Sequence, residues 1–550
     1  MSTRANYTTL GAANTEKVFD ALFEETKGGV ALDSADGSAT QHYLETATEA
    51  MPPFLQKLLD KTGGEHGQIA LDSVVQGMRL YKNRHGVLPT ADVIEAALDQ
   101  AVAYATPLKE LKLDGVGSTS HHDPISAQPE RIQIGILTAI AEAFPVATYL
   151  PTDIGSNEAL LGIVSHQAGS TVGGYEVGAL LDGVNIGDTF MSSERHVALA
   201  LDAERDAASG NLSLTKGGAA NVKLLRGRTQ VFVNGFPVAE ENPRVAASTV
   251  SSPISGVAVL AGTTHTISGT VNLTTGQVDL AFAPALPVGT LVTAEGYIDF
   301  ELDPSVTPSI KTQVQTYSHY AVPWRGLLSQ TIDSKTQYNN ELGIDLQSES
   351  LICARNQVTV ERHRSLLRKA IALAAQNTEA FNFDYTTQMA EKSRAQIWSD
   401  LPAILGIVDQ KMAEDTMDRG VTHLYVGKTI KAQWEGLPRD IFEPSGLVAV
   451  PGIYRIGRLF GRFEVYYSPW EILEDQAAGT AQILCLGRSN SPARNTFVMG
   501  DAVPVTVLPL AMDANMKYGQ AIYTRNFSDV NKHRPSASGC AMINVTNLFA

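Results

Sequence analysis

The sequence predicts an α+β protein in which an all-β domain interrupts a framework of helices and mixed strands. Three observations carry this. Residues 341–374 hold the longest helical pattern, with Leu346, Cys353, Val360, Leu367 and Ala374 recurring every seven residues and Leu351 and Val358 widening the stripe. Between 206 and 305 charge thins out and Gly, Thr, Ser and Val dominate. The first 128 residues carry only short amphipathic stretches between polar breakers.

In chain order, residues 1–128 read as a helical arm. Asn14 is placed to cap a helix whose Val18, Phe19, Leu22 and Phe23 form one apolar stripe. A second helix spans about 67–81, through Ile69, Leu71, Val74, Val75, Met78 and Leu80. A third follows Pro89, through Val93, Ile94, Ala97, Leu98 and Val102. Helices this short bury little alone, so the arm is expected to lie on something else. Residues 129–205 open with an amphipathic helix over 131–144 (Ile132, Ile134, Leu137, Ile140, Ala141), stopped before Pro145, followed by mixed strand signals.

The segment 206–305 is read as the β insertion. His265–Asn272 and Gln277–Phe282 alternate either side of Thr274-Thr275-Gly276, a hairpin whose Gly can take positive φ, and Leu291–Phe300 suggests a further strand. Residues 306–340 are an extended return limb and 341–385 hold the long helix, about 50 Å over 341–374 at 1.5 Å per residue. In 386–500 a helix near 387–398 precedes one near 401–419, which has Asp400 as cap, Pro402 in its first turn and Gly420 after its end. Strands and loops follow, and 501–550 is the C-terminal strand region.

The 550 residues give a prior of three to four domains at roughly 150 residues each. The chain is 44% hydrophobic and 18% charged, ordinary for a folded soluble protein. Its longest apolar runs, such as Ala403–Val408, fall far short of the roughly 20 residues of a membrane span, and the N-terminus lacks the apolar core of a secretory signal. Cys353, Cys485 and Cys540 are few, odd in number and far apart, which fits a reducing cytoplasm and neither a disulfide framework nor a metal knuckle. A net charge of −16 argues against tight nucleic-acid binding but does not exclude a container, whose acidic inner wall would repel the polymer inside it.

No motif for catalysis, cofactor or metal survives inspection. Val426-Gly-Lys-Thr429 brings a phosphate loop to mind, but the loop needs a Gly where Thr422 stands. His121-His122-Asp123 lies in a polar loop without partner spacing for a metal. Ser193-Glu194-Arg195-His196 and Glu361-Arg362-His363-Arg364 read as charge clusters, with Glu361 and Arg364 spaced to face one another on the long helix. No Gly-x-Ser-x-Gly elbow is present. The aromatics Tyr454, Phe460, Phe463, Tyr466, Tyr467 and Trp470 fit a core or a subunit interface better than a base-stacking platform, because the nearby basic content is modest.

Four stretches, in order, resemble the major capsid proteins of tailed double-stranded DNA phages, the Hong Kong 97-type fold in its larger versions with an insertion domain. They are Ile267–Phe282; the return strand leading into Glu341–Glu349; Thr422–Gly427 paired with Tyr454–Pro469; and Val503–Leu510 with Tyr523–Asn526. The resemblance implies an α+β fold with a helical N-terminal arm, an extended loop, a long spine helix, peripheral and axial domains and the β insertion. It implies no enzyme and no cofactor. It implies self-assembly into hexamers and pentamers of an icosahedral head, in the virion and, during assembly, in the host cytoplasm. Scaffold, portal and decoration proteins are candidate further partners. DNA would be enclosed without sequence-specific binding, and no membrane is involved. Leu346, Leu351, Cys353, Val358, Val360 and Leu367 are assigned to spine-helix packing, and Arg355, Glu361, Arg362 and Arg364 to subunit-interface charges. Many relatives are trimmed after a Leu-x-Glu type site. Leu22-Phe-Glu24 and Leu108-Lys-Glu110 match it loosely, while the start at Met1 carries the expectation of a retained arm. Two alternatives stay open: another self-assembling virion part, such as a tail or portal component, and an intracellular hydrolase with a β substrate-binding insertion.

Overall fold

The computed structural model describes residues 15–20, 22–23, 52–62, 67–105, 136–137, 139–140, 143–152, 155–212, 214–215, 218–219, 223–242, 244, 246, 249–302, 304–331, 333, 337, 346–510 and 517–549. It mixes helices and sheets in two compact units, one of Met1–Ile163 with Thr316–Ala550 and the other of Val164–Gln315.

The first unit is built on an eight-stranded sheet. Its order is Thr378–Asn382, Cys540–Thr546, Thr480–Leu486, His423–Val426, Phe463–Tyr467, Tyr454–Leu459 and Phe442–Pro444, with Glu474–Asp475 pairing off the path. Both faces are buried, so the inner strands read as unbroken apolar runs, and alternate residues serve opposite sides. Tyr425, Tyr466, Leu484, Leu486, Cys540 and Met542 join one hydrophobic cluster. Leu424, Val426, Val465, Ile483, Cys485, Ala541, Ile543 and Val545 join the other. Cys485 and Cys540 are thus free thiols on opposite faces. The aromatic run divides likewise: Tyr454 and Phe463, with Phe460 and Tyr467 packed against the same cluster, go to one side and Tyr466 to the other, and both groups are spent in the core.

On the second of these faces lies the helix Leu401–Thr416, which buries Leu401, Leu405, Val408 and Met412. Met417, at φ 58°, takes the left-handed position at its end, three residues before Gly420. The helix expected over 387–398 is instead two short ones, Tyr385–Gln388 and Arg394–Trp398. The second starts afresh because Ser393 and Gln396 form a reciprocal capping box.

The other face is covered by the long helix, Leu346–Ala374, and by arm helices Pro53–Thr62, Gly67–His85 and Ala91–Ala105. The long helix is unbroken over 29 residues, about 43 Å at 1.5 Å per residue. Residues 341–345, expected to open it, lie outside the described residues, as does most of the helix expected over 131–144. The described arm packs on its own chain: Phe19, Leu22, Leu55, Leu58, Val74, Met78, Ile94 and Leu98 share a cluster with Leu366, Leu367 and Ala370 of the long helix. Leu80, read into the apolar stripe, is 51% exposed; its neighbour Tyr81 is buried in its place. A four-stranded sheet, Ala147–Tyr149, Phe497–Leu510, Lys517–Val530 and Val322–Thr331, completes the unit.

The second unit is a closed barrel. Its nine-stranded order begins with Glu194–Ala198 and ends with Ala200–Leu201, which are one run of chain interrupted only at Leu199. The ring therefore has eight members and no free edge. Val231, Val233, Ile254, Ile267, Val271, Val278, Leu280, Phe282 and Val292 fill it. The hairpin Thr263–Asn272 to Gln277–Ala283 turns as the sequence predicts, with Gly276 at φ 73° and Asn272 Oδ1 accepting from the Thr274 and Thr275 amides. The ring takes in Glu194–Leu201, which lies outside the expected 206–305 boundary. A fragment spanning 193–299 is accordingly expected to melt cooperatively, whereas one spanning 206–299 loses ring closure and its cooperative transition; circular dichroism on both fragments checks this.

Arg419 fastens the loops at one end of the first unit. It is 6% exposed and donates to the carbonyls of Gly487, Arg494 and Ser536 and to Thr496 Oγ1. Desolvation lowers its pKa to about 10 against the attraction of Asp418. Arg419→Met leaves those acceptors unpaired and is expected to cost about 3–5 kcal/mol, read as a drop in denaturant midpoint with the slope unchanged.

Candidate functional site

The long helix divides into two halves. Leu366, Leu367, Ala370 and Ala374 are fully buried, spaced to keep one face on the strands Cys540–Thr546 and Thr480–Leu486. The alanines let the backbone approach closely. Toward the N-terminus burial fades: Val358, Thr359 and Val360 are half-buried, and Cys353, Asn356, Gln357 and Glu361 are exposed. Of the residues assigned to packing, Leu367 is in the core, Val358 and Val360 are at its margin and Cys353 faces outward; the side chains of Leu346 and Leu351 lie outside the described residues.

The charges on this helix are turned to their own chain. Arg362 donates to Asp501 at 2.9 Å and to Ser528 Oγ at 3.2 Å. Arg364, set over the Trp470 ring, pairs with Glu471 at 2.9 Å, and Arg368 meets the same carboxylate at 2.9 Å. The facing expected between Glu361 and Arg364 is therefore replaced: Glu361 accepts from Gln357 at 2.6 Å. Glu471 adopts φ 68°, a left-handed conformation that presents its carboxylate to both guanidiniums. Desolvation opposes its charge, but the hydrogen bonds from Arg364 and Arg368 outweigh this and hold the carboxyl below its ordinary range. The Arg355 side chain lies outside the described residues.

The chain runs out along Glu158–Ala168 and returns along Ile310–Tyr320, which pair as a two-stranded ladder. The outgoing strand alternates. Ala159, Leu161 and Ile163 pack with Leu150, Val498 and Phe527, while Leu160 and Val164 face solvent. The returning strand does not alternate: its first seven residues are all exposed, Ile310 and Val314 among them at 49% and 65%. Val322 and Leu327, on the next strand, are 52% and 68% exposed. The far end of the outgoing strand is paired on its outer side by the segment 178–181, with Ala168 N donating to Ala179 O at 2.8 Å and Leu181 N to His166 O at 2.9 Å. The apolar side chains exposed along the returning strand are surfaces for side-chain docking.

Other groups considered from the sequence fall into structural roles. At Gly427-Lys428-Thr429, the place of an anion is taken by Glu474, whose carboxylate accepts the Thr429 amide at 3.0 Å; a Cβ on Gly427 would lie 2.3 Å from Glu474 Cδ. Arg195 is buried and donates to the carbonyls of Ser192 and Glu194, while His196 is exposed. His121, His122 and Asp123 lie outside the described residues, and among the described residues no metal-ligand cluster forms. No described helix is long and apolar enough to cross a membrane.

Comparison with known proteins returns no matching family model and no matching curated protein. Among solved structures, the chain is similar to the capsid of the jumbo bacteriophage PhiKZ, at 9% identity over 73% of this chain and 91% of that one, with a TM-score of 0.35. It is also similar to a chain of Microbacterium phage Oxtober96, at 14% identity over 55% and 88% with a TM-score of 0.28. A third similarity is to a virus-like particle from Pyrococcus furiosus, at 10% identity over 43% and 81% with a TM-score of 0.23.

Glu471→Gln removes the counter-charge of two arginines and is expected to cost about 1–2 kcal/mol. Arg368→Ala alone, at an exposed position, is expected to stay within about 0.5 kcal/mol. Chemical denaturation of the two variants separates these outcomes.

Proposed function

We propose that this chain is the repeating subunit of an icosahedral phage head, assembling into hexamers and pentamers around double-stranded DNA. The observation that carries the reading is the return strand Ile310–Tyr320, exposed over its first seven positions with apolar side chains among them. A strand of this kind is costly in an isolated chain and is accounted for when a neighbouring copy covers it. The long helix supports the same reading. Its buried half and its arginine pairs fix it rigidly to its own chain, and its less buried half leaves Cys353 and Asn356 outward. The interfaces would be heterologous, with one patch gripping a different patch on the next copy, so that rings close by rotation. In this reading Leu346, Leu351, Val358 and Val360 rigidify the strut, and the ladder makes the contact between copies. The net charge of −16 keeps enclosed DNA from adhering to the wall.

The test is assembly itself. Purified chain imaged by negative-stain microscopy is expected to show rings or closed particles. A chain that sediments as a monomer at high concentration would overturn the proposal. The double variant Val314→Asp with Leu327→Asp changes two exposed positions, so its circular dichroism is expected to match the parent while particles disappear. Normal particles from that variant would remove both exposed strands, Ile310–Tyr320 and Val322–Thr331, from the interface.

A further inference from the structure

We propose that the seam joining the arm helix Gly67–His85 to the long helix and the core sheet is an acid-released clasp, in which three imidazoles, His85 and His423 buried and His363 half-buried, hold the arm only while they are uncharged. The inference is independent of shell assembly, because every group it uses belongs to one chain.

The three histidines come from three elements. His85 is the last residue of its helix, 5% exposed; its ring lies 4.3 Å from Tyr81 and 5.8 Å from Tyr466, and its Nδ1 is 3.0 Å from the Tyr466 hydroxyl. Its Nε2 is buried without a partner. His363, on the long helix, meets Phe144 edge-on at 4.4 Å, with Nε2 3.5 Å from the Tyr425 hydroxyl. His423, on the central strand, has its ring 5.9 Å from Tyr466 and its Nδ1 2.7 Å from Thr422 Oγ1. Tyr425 and Tyr466 stack at 5.2 Å and link the three into one aromatic body.

Each of these imidazole contacts is to a hydroxyl, which serves the neutral ring and brings no counter-charge. The charged neighbours are mostly cationic: Arg84 on the arm helix, Arg455 on the sheet and Arg488 beyond it all act on the cluster. Among the described residues, the nearby carboxylates are engaged elsewhere. Glu464 is held by Arg455 and Arg458, and Asp92 by Arg488 and the Tyr149 amide. The phenols Tyr81, Tyr425 and Tyr466 are held protonated by burial. Desolvation first, then the arginines, push His363 and His423 down to about 3 and His85 well below its ordinary value.

The sign follows from those directions. A released imidazole takes its proton near pH 6.5, whereas a docked one resists it to far lower pH. Docking is therefore at full strength above about pH 6.5 and weakens as pH falls toward the docked values. One such group changes the docking equilibrium by up to about tenfold per pH unit, and three together by up to about a thousandfold. The barrel has its own core and is not held by this seam.

Hydrogen–deuterium exchange of the full-length, unassembled chain between pH 7.5 and 4.5, corrected for intrinsic exchange, reads the seam directly. Amides of 67–85 are expected to lose protection at a pH where those of 401–416 and of the barrel keep theirs, with a slope steeper than one decade per pH unit. Helix 91–105 does not report on the seam alone, because burial raises Glu95 to about 7 and its protonation favours docking as pH falls. His363→Phe is expected to reduce that slope by about one decade, and His423→Gln, which keeps a polar side chain beside Thr422, provides the same reading should the first variant fold poorly. Arm and core amides losing protection together at one pH, or a parent slope of one decade or less, would overturn the proposal.

Discussion

The constraint on which the rest of this structure depends is a sheet that must be covered on both faces. Strands such as His423–Val426 and Thr480–Leu486 send alternate apolar side chains to opposite sides, so neither side tolerates water. One side is closed by local means, since the helix Leu401–Thr416 follows closely on the first strand it covers. The other side is closed by segments distant in sequence: the arm helices, which precede the sheet by hundreds of residues, and the C-terminal half of the long helix. Because the long helix is recruited by one end only, its remaining turns extend along a less buried path, and its charges are satisfied by whichever carboxylates lie beside it. Asp501, Glu471 and Asp529 do this for Arg362, for Arg364 with Arg368, and for Lys369.

How far the sequence could be read follows from which interactions are local. The hairpin around Gly276 was legible because its signals, alternation on both strands and a Thr274-Thr275-Gly276 turn, lie within twenty residues. The long helix was legible for a similar reason: a repeat sustained over several turns needs no partner to be recognised. The barrel boundary was not legible, because the closing strand Glu194–Leu201 is short, carries Glu194, Arg195 and His196, and pairs with Val292–Tyr297 about a hundred residues later. The partner of Arg364 was also hidden. Spacing offered Glu361 one turn away, while the structure supplies Glu471 from 107 residues further on, in a backbone conformation that no motif announces.

The arm shows the same division. Its helices were read correctly as existing, and its apolar stripes named most of the residues now buried, but the surface beneath them is its own chain's core. The histidine seam was invisible for want of a pattern, since His85, His363 and His423 share no spacing. Only the fold brings them to Tyr425 and Tyr466, and the signal that could have flagged them, histidine beside an apolar face, is common in ordinary cores.

Energetics bear on how the exposed ladder can be used. Fully burying an exposed aliphatic side chain is worth about 1.5–3 kcal/mol. Ile310, Val314, Val322 and Leu327 are about half to two-thirds exposed, so covering all four is worth roughly 3–7 kcal/mol. Bringing two chains together costs about 4–15 kcal/mol before any contact is counted. A single ladder contact between two free chains is therefore near balance, and dimers resting on it alone would be transient. In a closed ring each copy both gives and receives a ladder contact, and the last contact forms within one assembly at high effective concentration. If the chain assembles as proposed, the side chains that leave a pair of copies marginal would suffice for a ring, and the apolar strands would stay exposed until enough copies were present to cover them together.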